Sequence, residues 1–243
     1  MSWRKRPWLV GLSVAAFLVL IALGTWQVQR LQWKTALIEA ADARASGAPV
    51  PLGTLDLSAP GEILYTHISV SGGFPTDRTA HVFGTLGGQP GYYVFQPFLL
   101  DDGSGRRLLV NRGFVPQDER AASYPLPDAP ALTGLLRVYE GAGGIAAAFT
   151  PEGGQSEGTF YERDPARLIT YLDPEHSADY LPISLDSTLP TELPRGGTTR
   201  LDFRNAHLGY AITWYGLAAG LVGVLLFAAR RGRREAAASR DDA

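Results

Sequence analysis

Two long stretches without charged residues, one near each end of the chain, constrain this sequence more than any other feature. The first runs from Pro7 to Gln29, and its apolar part, Trp8 to Trp26, has 19 residues. The second, Leu208 to Ala229, has 22 residues. A helix rises about 1.5 Å per residue, so each stretch covers roughly the 30 Å of a bilayer's hydrocarbon core. We therefore predict two transmembrane helices, at residues 8–29 and 207–229.

The basic residues that flank the two stretches predict their orientation. Three basic residues at positions 4–6 precede the first stretch, and four arginines follow Ala229 within five residues. Because cationic residues favour the cytoplasmic side, residues 1–7 and 230–243 are predicted to be cytoplasmic. Residues 30–206 then form an extracytoplasmic, periplasmic domain. The expected location is the cell inner membrane, as a multi-pass protein in contact with lipid.

A cleaved signal peptide is the alternative interpretation of the first stretch. A basic start, an apolar core and the sequence Ala22-Leu23-Gly24 resemble a cleavage site. The apolar run is long for a signal core, however, and a helical pattern continues beyond Gly24 to about Ser46. These two features favour a transmembrane helix.

The composition excludes several classes of function. The chain contains no cysteine and one methionine, which excludes disulfides, a cysteine zinc site and a C-x-x-C-H haem attachment. It also argues against copper delivery through soft sulfur ligands. The formal net charge of −2 provides no basic field for nucleic acid, so no nucleic-acid partner is expected.

The region between the two stretches has a sequence pattern typical of a β-domain. After Pro49, short runs rich in β-branched and aromatic residues alternate with turn residues, including a hairpin signal at Asp101–Gly105. Strands are predicted at residues 63–71, 79–83, 92–100, 107–115 and 131–139, with weaker ones at 159–163 and 181–185. Strands follow strands without regular helix alternation. The predicted fold class is therefore an α+β membrane protein, with two transmembrane helices flanking a mainly antiparallel β-sheet or partly closed barrel.

Three further segments of this domain carry weaker signals. Residues 163–171 have a short helical pattern as an alternative to a strand. The glycine-rich segment Gly141–Gly158 is predicted to be a mobile loop. The polar segment Ser187–Thr199 is predicted to be a tether that leads to the second helix.

Small residues predict how the two helices pack. A face of the second helix carries Gly209, Thr213, Gly216, Gly220 and Gly223, and the first helix carries Gly11, Ala15, Ala22 and Thr25 on a similar face. Small residues let helices approach closely in lipid, so these faces are predicted to meet. The opposite side of the second helix carries His207, Tyr210, Trp214 and Ala218. That side would then face lipid, a partner or a ligand.

One motif is typical of a hydrolase. The G-x-S-x-G pattern around Ser156 is followed by Asp173 and His176 in a permissible order. A nucleophile elbow needs a strand before the serine and a helix after it, and the flanking sequence provides neither. We therefore expect no enzymatic activity, with a serine hydrolase as a remote alternative.

Five other residues have structural or functional interpretations. His207 lies at the edge of a predicted span, where an ionisable residue is a functional candidate, although it could equally anchor the helix end. Gly113, inside a predicted strand, indicates a bulge or a close backbone approach. Arg112 beside it is expected to have a structural role. His67 and His81 fall in strand patterns and are expected to be structural.

Four segments, in this order along the chain, together resemble the Surfeit locus protein 1 family, the membrane-bound assembly factors of haem-copper cytochrome oxidases. They are L-G-T-W-Q-V-Q-R-L-Q-W-K (Leu23–Lys34), G-Y-Y-V-F-Q-P-F-L-L (Gly91–Leu100), L-L-V-N-R-G-F-V-P (Leu108–Pro116) and R-N-A-H-L-G-Y-A-I-T-W-Y-G-L-A (Arg204–Ala218). Two departures are Phe114, where the family often has Trp, and Tyr93, where a His is common.

The resemblance implies an assembly factor for an aa3-type cytochrome c oxidase that acts in haem a binding or insertion into the catalytic subunit. Its implied partners are oxidase subunit I and haem a synthase. The histidine of the fourth segment is the family's suggested haem ligand, which is His207 here. The accompanying candidates are Tyr210, Trp214, Arg204, Trp26 and Arg30. The alternative is a membrane-anchored interaction chaperone that binds no cofactor.

Overall fold

The computed structural model describes residues 7–121, 123–127, 131–139, 158–199, 201 and 205–241. The chain divides into two compact units. Residues 1–39 and 202–243 form one unit, which contains most of the two long apolar helices. Residues 40–201 form the other unit, which contains the β-sheet.

The two long helices lie at the ends of the chain. Helix α1 spans Pro7–Ser46 and helix α4 spans His207–Asp241. Both are long and apolar enough to cross a membrane, and they include the stretches from which the spans were predicted. Helix α1 continues without a break through Gly24, where the sequence resembles a cleavage site.

In its described residues, the sheet unit contains nine strands and two short α-helices. In chain order they are β1 (Val50–Pro51), α2 (Pro60–Ile63), β2 (His67–Val70), β3 (Gly72–Gly73), β4 (Ala80–Leu86), β5 (Gln89–Leu100), β6 (Arg107–Pro116), β7 (Leu132–Val138), β8 (Thr159–Phe160), α3 (Pro165–Leu172) and β9 (Tyr180–Ser187). Each of the seven predicted strands overlaps one observed strand. The helical alternative at residues 163–171 is α3, whose first turn is capped by the Asp164 carboxylate through the backbone N–H of Ala166.

The strand order is β1-β2-β7-β9-β6-β5-β4-β8, with β3 also paired to β5. The hairpins β4–β5 and β5–β6 are antiparallel, whereas β1–β2, β6–β9 and β4–β8 are parallel pairs. The sheet is therefore mixed, where the sequence predicted a mainly antiparallel sheet or a partly closed barrel. Two of its three parallel pairs, β4–β8 and β6–β9, join segments that are far apart along the chain. Alternation within a strand contains no signal for the direction of its neighbour.

The two faces of the sheet bury separate hydrophobic clusters. Strand β6 shows the division, because Leu108 and Val110 pack in one cluster while Leu109 packs in the other. The second cluster is covered by α3, which contributes Leu168 and Leu172. Helix α3 therefore covers only part of that face of the sheet.

A glycine in β6 permits a close backbone approach, as the sequence indicated. Gly113 has φ of 133°, and a Cβ on it would lie 2.1 Å from the carbonyl oxygen of Arg195. The register of β5 against β6 shifts between Val94 and Phe95, opposite this position. Phe114 and Arg195 exchange two backbone hydrogen bonds of 3.0 and 2.8 Å. The segment predicted as a flexible tether is thus paired to the sheet at this point.

Arg112 is a buried structural residue. Its side chain is 4% exposed, and its guanidinium donates to Gln96 Oε1 at 2.9 Å and to the carbonyls of Tyr124 and Pro125. It also lies over the ring of Phe74. These bonds join β5, β6 and the segment after β6, in agreement with the structural interpretation.

Candidate functional site

Helices α1 and α4 pack along a seven-residue repeat. The partly or fully buried positions of α1 include Ser13, Phe17, Leu20, Gly24, Gln27 and Leu31, and those of α4 include His207, Ala211, Trp214, Ala218, Leu221 and Leu225. Spacings that alternate between four and three residues are typical of helices that pack side by side over several turns. Two side-chain hydrogen bonds cross the same interface, one between Asn205 and Thr35 and one between His207 and Gln27. Since chain numbers rise on one helix as they fall on the other, the pair is antiparallel.

The predicted glycine interface is wrong. Open space surrounds the position that a Cβ would take on Gly209, Gly216, Gly220 and Gly223, and also on Gly11. The buried small residues of α4 are instead Ala211 and Ala218, which are 3% and 2% exposed. Glycine spacing could not reveal this, because two opposite faces of a helix both repeat with its 3.6-residue period.

The side predicted to face lipid or a ligand is the side that packs against α1. His207 is partly buried there, and its Nδ1 lies 2.7 Å from Oε1 of Gln27. Gln27 is itself buried, with 9% of its surface exposed. An amide oxygen only accepts hydrogen bonds, so Nδ1 carries the proton and donates it. When the ring carries only this proton, Nε2 has its lone pair in the ring plane. No hydrogen bond to Nε2 comes from the described part of the chain.

The other candidate residues have different environments. Tyr210 and Trp26 are 57% and 54% exposed, and Trp214 is partly buried in the helix interface. Arg30 is exposed, and its guanidinium carbon lies 3.9 Å from the centre of the Trp33 ring. Arg204 lies outside the described residues.

Helical positions place two of these candidates on one flank of the helix pair. At about 100° per residue, Tyr210 lies about 60° to one side of the α4 packing face, and Arg30 lies about 100° to the corresponding side of α1. Trp26 lies about 140° from the α1 packing face and so points mostly away from α4. The opposite flank holds Tyr215 and Thr25, whose hydroxyl oxygens are 3.2 Å apart. His207 therefore lies in the interface between an aromatic, cationic flank and a hydroxyl-lined flank.

Gln27 is the site residue that sequence reasoning missed. It is a polar side chain within the buried stripe Leu20–Gly24–Gln27–Leu31 of α1. A search for polar residues at the buried positions of a 3.5-residue repeat would have found it.

The remaining histidines belong to the sheet unit and have local partners. His67 Nδ1 is 2.9 Å from the carbonyl oxygen of Gly47. His81 is buried beside Tyr124, and burial, followed by the nearby Arg120 charge, lowers the pKa of His81 to about 4. His176 Nδ1 is 2.8 Å from Asp173 Oδ1. No group of three or more His, Cys, Asp or Glu suited to a metal ion occurs among the described residues.

The Asp173–His176 pair belongs to a structural cluster. The Asp173 carboxylate also binds the Arg107 guanidinium at 3.0 Å and accepts a hydrogen bond from the Tyr180 hydroxyl at 3.2 Å. These contacts join the end of α3 to β6 and β9. Ser156, the nucleophile of the hydrolase alternative, lies outside the described residues.

Together these features define a class of protein: a mixed β-sheet unit within a chain whose two ends form long apolar helices, with a histidine–glutamine pair where those helices pack. The sequence model of the SURF1 family matches residues 14–219. The chain therefore belongs to the SURF1 family.

Three relatives illustrate the similarity. The chain is 35% identical to Surfeit locus protein 1 of Xenopus tropicalis, over 87% of this chain and 72% of that protein. It is 33% identical to Surfeit locus protein 1 of Homo sapiens, over 87% and 73%. It is 25% identical to the cytochrome oxidase assembly protein SHY1 of Saccharomyces cerevisiae, over 96% and 78%.

Proposed function

We propose that this protein is a non-enzymatic assembly factor of cytochrome oxidase that binds haem a through His207 and promotes its insertion into the catalytic subunit. Membership of the SURF1 family supports the role in oxidase assembly, because a related protein is named a cytochrome oxidase assembly protein. The hydrogen bond between His207 Nδ1 and Gln27 Oε1 is the observation that supports the haem ligand.

The residues of the helix pair fit a haem group. Haem iron accepts a neutral imidazole nitrogen, and histidine ligands usually donate their other ring N–H to an oxygen that fixes the tautomer and orientation of the ring. Gln27 provides that oxygen for His207. The aromatic side chain of Tyr210 offers apolar surface for a macrocycle, and Arg30 offers a cation for its carboxylates. A bound haem would supply an iron centre that the imidazole of His207 could coordinate.

The proposed topology has both termini in the cytoplasm and the sheet unit in the periplasm. The helices α1 and α4 support this proposal by their length and composition, and the basic residues that flank them support its orientation. His207, the first residue of α4, would then lie at the periplasmic end of a span in the inner membrane. Oxidase subunit I and haem a synthase are the proposed partners at that position.

A spectroscopic comparison of histidine variants tests the haem ligand. The full-length protein is expressed in cells that make haem a and purified in mild detergent, and reduced-minus-oxidised spectra are recorded. We expect a haem a signal in the wild type and its loss in His207→Ala. The matched control is His176→Ala, because His176 Nδ1 also faces a side-chain oxygen, that of the Asp173 carboxylate at 2.8 Å, but in the sheet unit. This control should retain the signal.

A second pair of variants tests the orienting role of Gln27. Gln27→Leu removes the acceptor, whereas Gln27→Glu keeps an oxygen within reach of Nδ1. Loss of such an outer partner typically weakens binding about 10- to 100-fold, so Gln27→Leu should bind haem a more weakly than Gln27→Glu.

Two outcomes would contradict the haem proposal. A folded His207→Ala protein that keeps its haem a would assign the ligand to another histidine. A folded wild-type protein that carries no haem a, yet co-purifies with oxidase subunit I, would favour an interaction chaperone without a cofactor.

A further inference from the structure

The sheet unit contains a polar cleft that the proposed haem site does not use. The larger part has a volume of about 520 Å³ and is lined by Phe83, Tyr93, Arg137, Arg163 and Asp186 among others. A neighbouring cavity of about 220 Å³ shares Arg137 and Arg163 with it. A volume of this size accommodates a small organic molecule or the end of a peptide.

The strand register explains why this part of the sheet is polar. Leu109, Ser184 and Arg137 are neighbours across β6, β9 and β7, and Asn111, Asp186 and Leu135 form a second such row. Leu109 packs in the cluster that α3 covers, so Ser184 and Arg137 point to the same face of the sheet. The cleft lies where polar side chains replace apolar ones on this face.

Asp186 is satisfied within the protein. Its Oδ1 accepts from Asn111 Nδ2 at 2.9 Å and from the Arg163 guanidinium, and its Oδ2 accepts from the Thr199 hydroxyl at 2.8 Å. The side chain is also almost fully buried. The carboxylate therefore neutralises Arg163 and offers little to a ligand.

Arg137 is the remaining charge of the cleft. It lies over the ring of Tyr65, with the guanidinium carbon 4.9 Å from the ring centre. Within the part of the chain that the structure describes, no carboxylate forms an ion pair with it. Among the described residues, Arg137, Arg163 and Asp186 are the charged ones that line the two cavities, and together they give the cleft an excess of one positive charge.

A buried hydroxyl on a residue beside the smaller cavity is a second observation. Among the described residues, the Tyr139 hydroxyl has no hydrogen-bond partner, and Tyr139 lines the cavity beside Arg137 and Ser184. Burial raises the pKa of Tyr139, so the phenol keeps its proton and can donate it. A buried donor without an acceptor costs free energy, which an acceptor on a ligand would recover.

We propose that this cleft binds a carboxylate attached to an apolar or aromatic body. The carboxylate accepts hydrogen bonds from Arg137 and the Tyr139 hydroxyl, and the body contacts the aromatic side chains of Tyr93, Phe83 and Tyr161. A single carboxylate matches the one excess positive charge, whereas a phosphate monoester carries a charge of about −1.5 to −2. A small organic acid and the C-terminus of a peptide both provide this chemistry. The proposal does not depend on haem binding.

Binding of defined probes to the full-length protein in lipid nanodiscs tests the proposal, with ligand-observed NMR titration as the measurement. The probes are 3-phenylpropionate, its neutral amide, phenyl phosphate, and the peptide acetyl-Ala-Leu-Phe with a free or an amidated C-terminus. We expect both carboxylates to bind more tightly than their amides and 3-phenylpropionate to bind more tightly than phenyl phosphate. If the peptide acid binds more tightly than 3-phenylpropionate, the ligand is a chain terminus; the reverse order indicates a small acid.

Substitutions of two cleft residues test whether the carboxylate probes bind in the cleft. Arg137→Gln should weaken carboxylate binding about tenfold or more, because it removes a charge-assisted hydrogen bond. Tyr139→Phe should weaken it about five- to tenfold through loss of one neutral hydrogen bond, without a large change in shape. Arg106→Gln, at an exposed arginine in the turn between β5 and β6, is the matched control and should bind as the wild type does.

Three results would overturn the proposal. They are a failure of the carboxylate probes to bind the wild type, equal binding of acids and amides, and unchanged carboxylate binding by both Arg137→Gln and Tyr139→Phe. If Arg137→Gln fails to fold, the binding measurement on Tyr139→Phe still tests the proposal.

Discussion

The ring of Tyr215 lies against Gly24 so closely that a Cβ on Gly24 would be 2.8 Å from Cε1 of the ring. The Tyr215 hydroxyl is also 3.2 Å from Oγ1 of Thr25. An added methyl group would therefore displace the ring and break this hydrogen bond. The small size of Gly24 therefore allows the Tyr215 ring of α4 to lie in its observed position.

Substitution of Gly24 should loosen the helix pair. We expect Gly24→Ala to destabilise it by about 1 to 3 kcal/mol, the usual cost of overpacking, measured from the temperature of unfolding in detergent. Gly220→Ala, at a position with open space around it, is the matched control and should cost much less. Destabilisation by Gly220→Ala alone would restore the glycine face as the interface.

Cross-linking should identify the packing face directly. Because the chain contains no cysteine, introduced pairs are its only thiols. Leu20→Cys with Ala218→Cys places both thiols on the buried stripes, so a short bismaleimide should link them rapidly in the membrane. Ala22→Cys with Gly216→Cys, at a similar depth, places both on outward faces.

The second pair should react slowly or not at all within one chain. Linkage is read from the mobility of the chain after a protease has cut the sheet unit, when linked helices stay together. Preferential linkage of the Ala22→Cys and Gly216→Cys pair would contradict the observed interface.

The strands of the sheet could be predicted from the sequence, but their arrangement could not. Hydrophobic runs bounded by turn residues predicted β5 and β6 to within a few residues, since such signals are local. The parallel pairing of β6 with β9 joins residues that are about 75 apart, and no local pattern encodes that pairing. Arg195 was assigned to a tether for the same reason, because its partner Phe114 is distant in the chain.

The candidate site was predictable in part. The resemblance and the position near a span both indicated His207, but the direction of its ring depends on Gln27, 180 residues away. The faces of α4 were distinguished correctly, and the wrong one was assigned to the interface. That choice depends on the shape of the partner helix, where Gly24 receives Tyr215.

Replacement of Arg112 should destabilise the sheet unit. Arg112→Leu would leave the carbonyl oxygens of Tyr124 and Pro125 without their donor. Groups buried without partners cost about 1 to 3 kcal/mol each, so we expect a loss of about 3 kcal/mol in the free energy of unfolding. Urea titration followed by near-ultraviolet circular dichroism measures this loss.

The matched control for Arg112 is an arginine on the surface. Arg106 lies in the turn after β5, with its side chain 49% exposed, and exposed ion pairs contribute little. Arg106→Leu should therefore change the free energy of unfolding by less than about 0.5 kcal/mol. Similar losses for the two variants would show that burial of Arg112 has no energetic consequence.

The neutral state of buried His81 should make the stability of the sheet unit depend on pH. Burial, with a further contribution from Arg120, lowers the pKa of His81 from 6.5 to about 4. The unfolded chain therefore binds a proton as pH falls through 6.5, while the folded chain does not until about pH 4. The free energy of unfolding should fall across this window, by roughly 2 kcal/mol between pH 7 and pH 5 at 1.36 kcal/mol per pKa unit.

Comparison with His81→Phe isolates this contribution from other titrating groups. Phenylalanine keeps an aromatic ring beside Tyr92, whose ring centre is 5.9 Å from that of His81, and it binds no proton. The variant should therefore lose about 2 kcal/mol less than the wild type between pH 7 and pH 5 in urea titrations. Equal losses would mean that His81 becomes protonated in the folded protein at its ordinary pKa. Because folded His81 resists protonation at this buried position, the imidazole acts there as a neutral core side chain beside Tyr124.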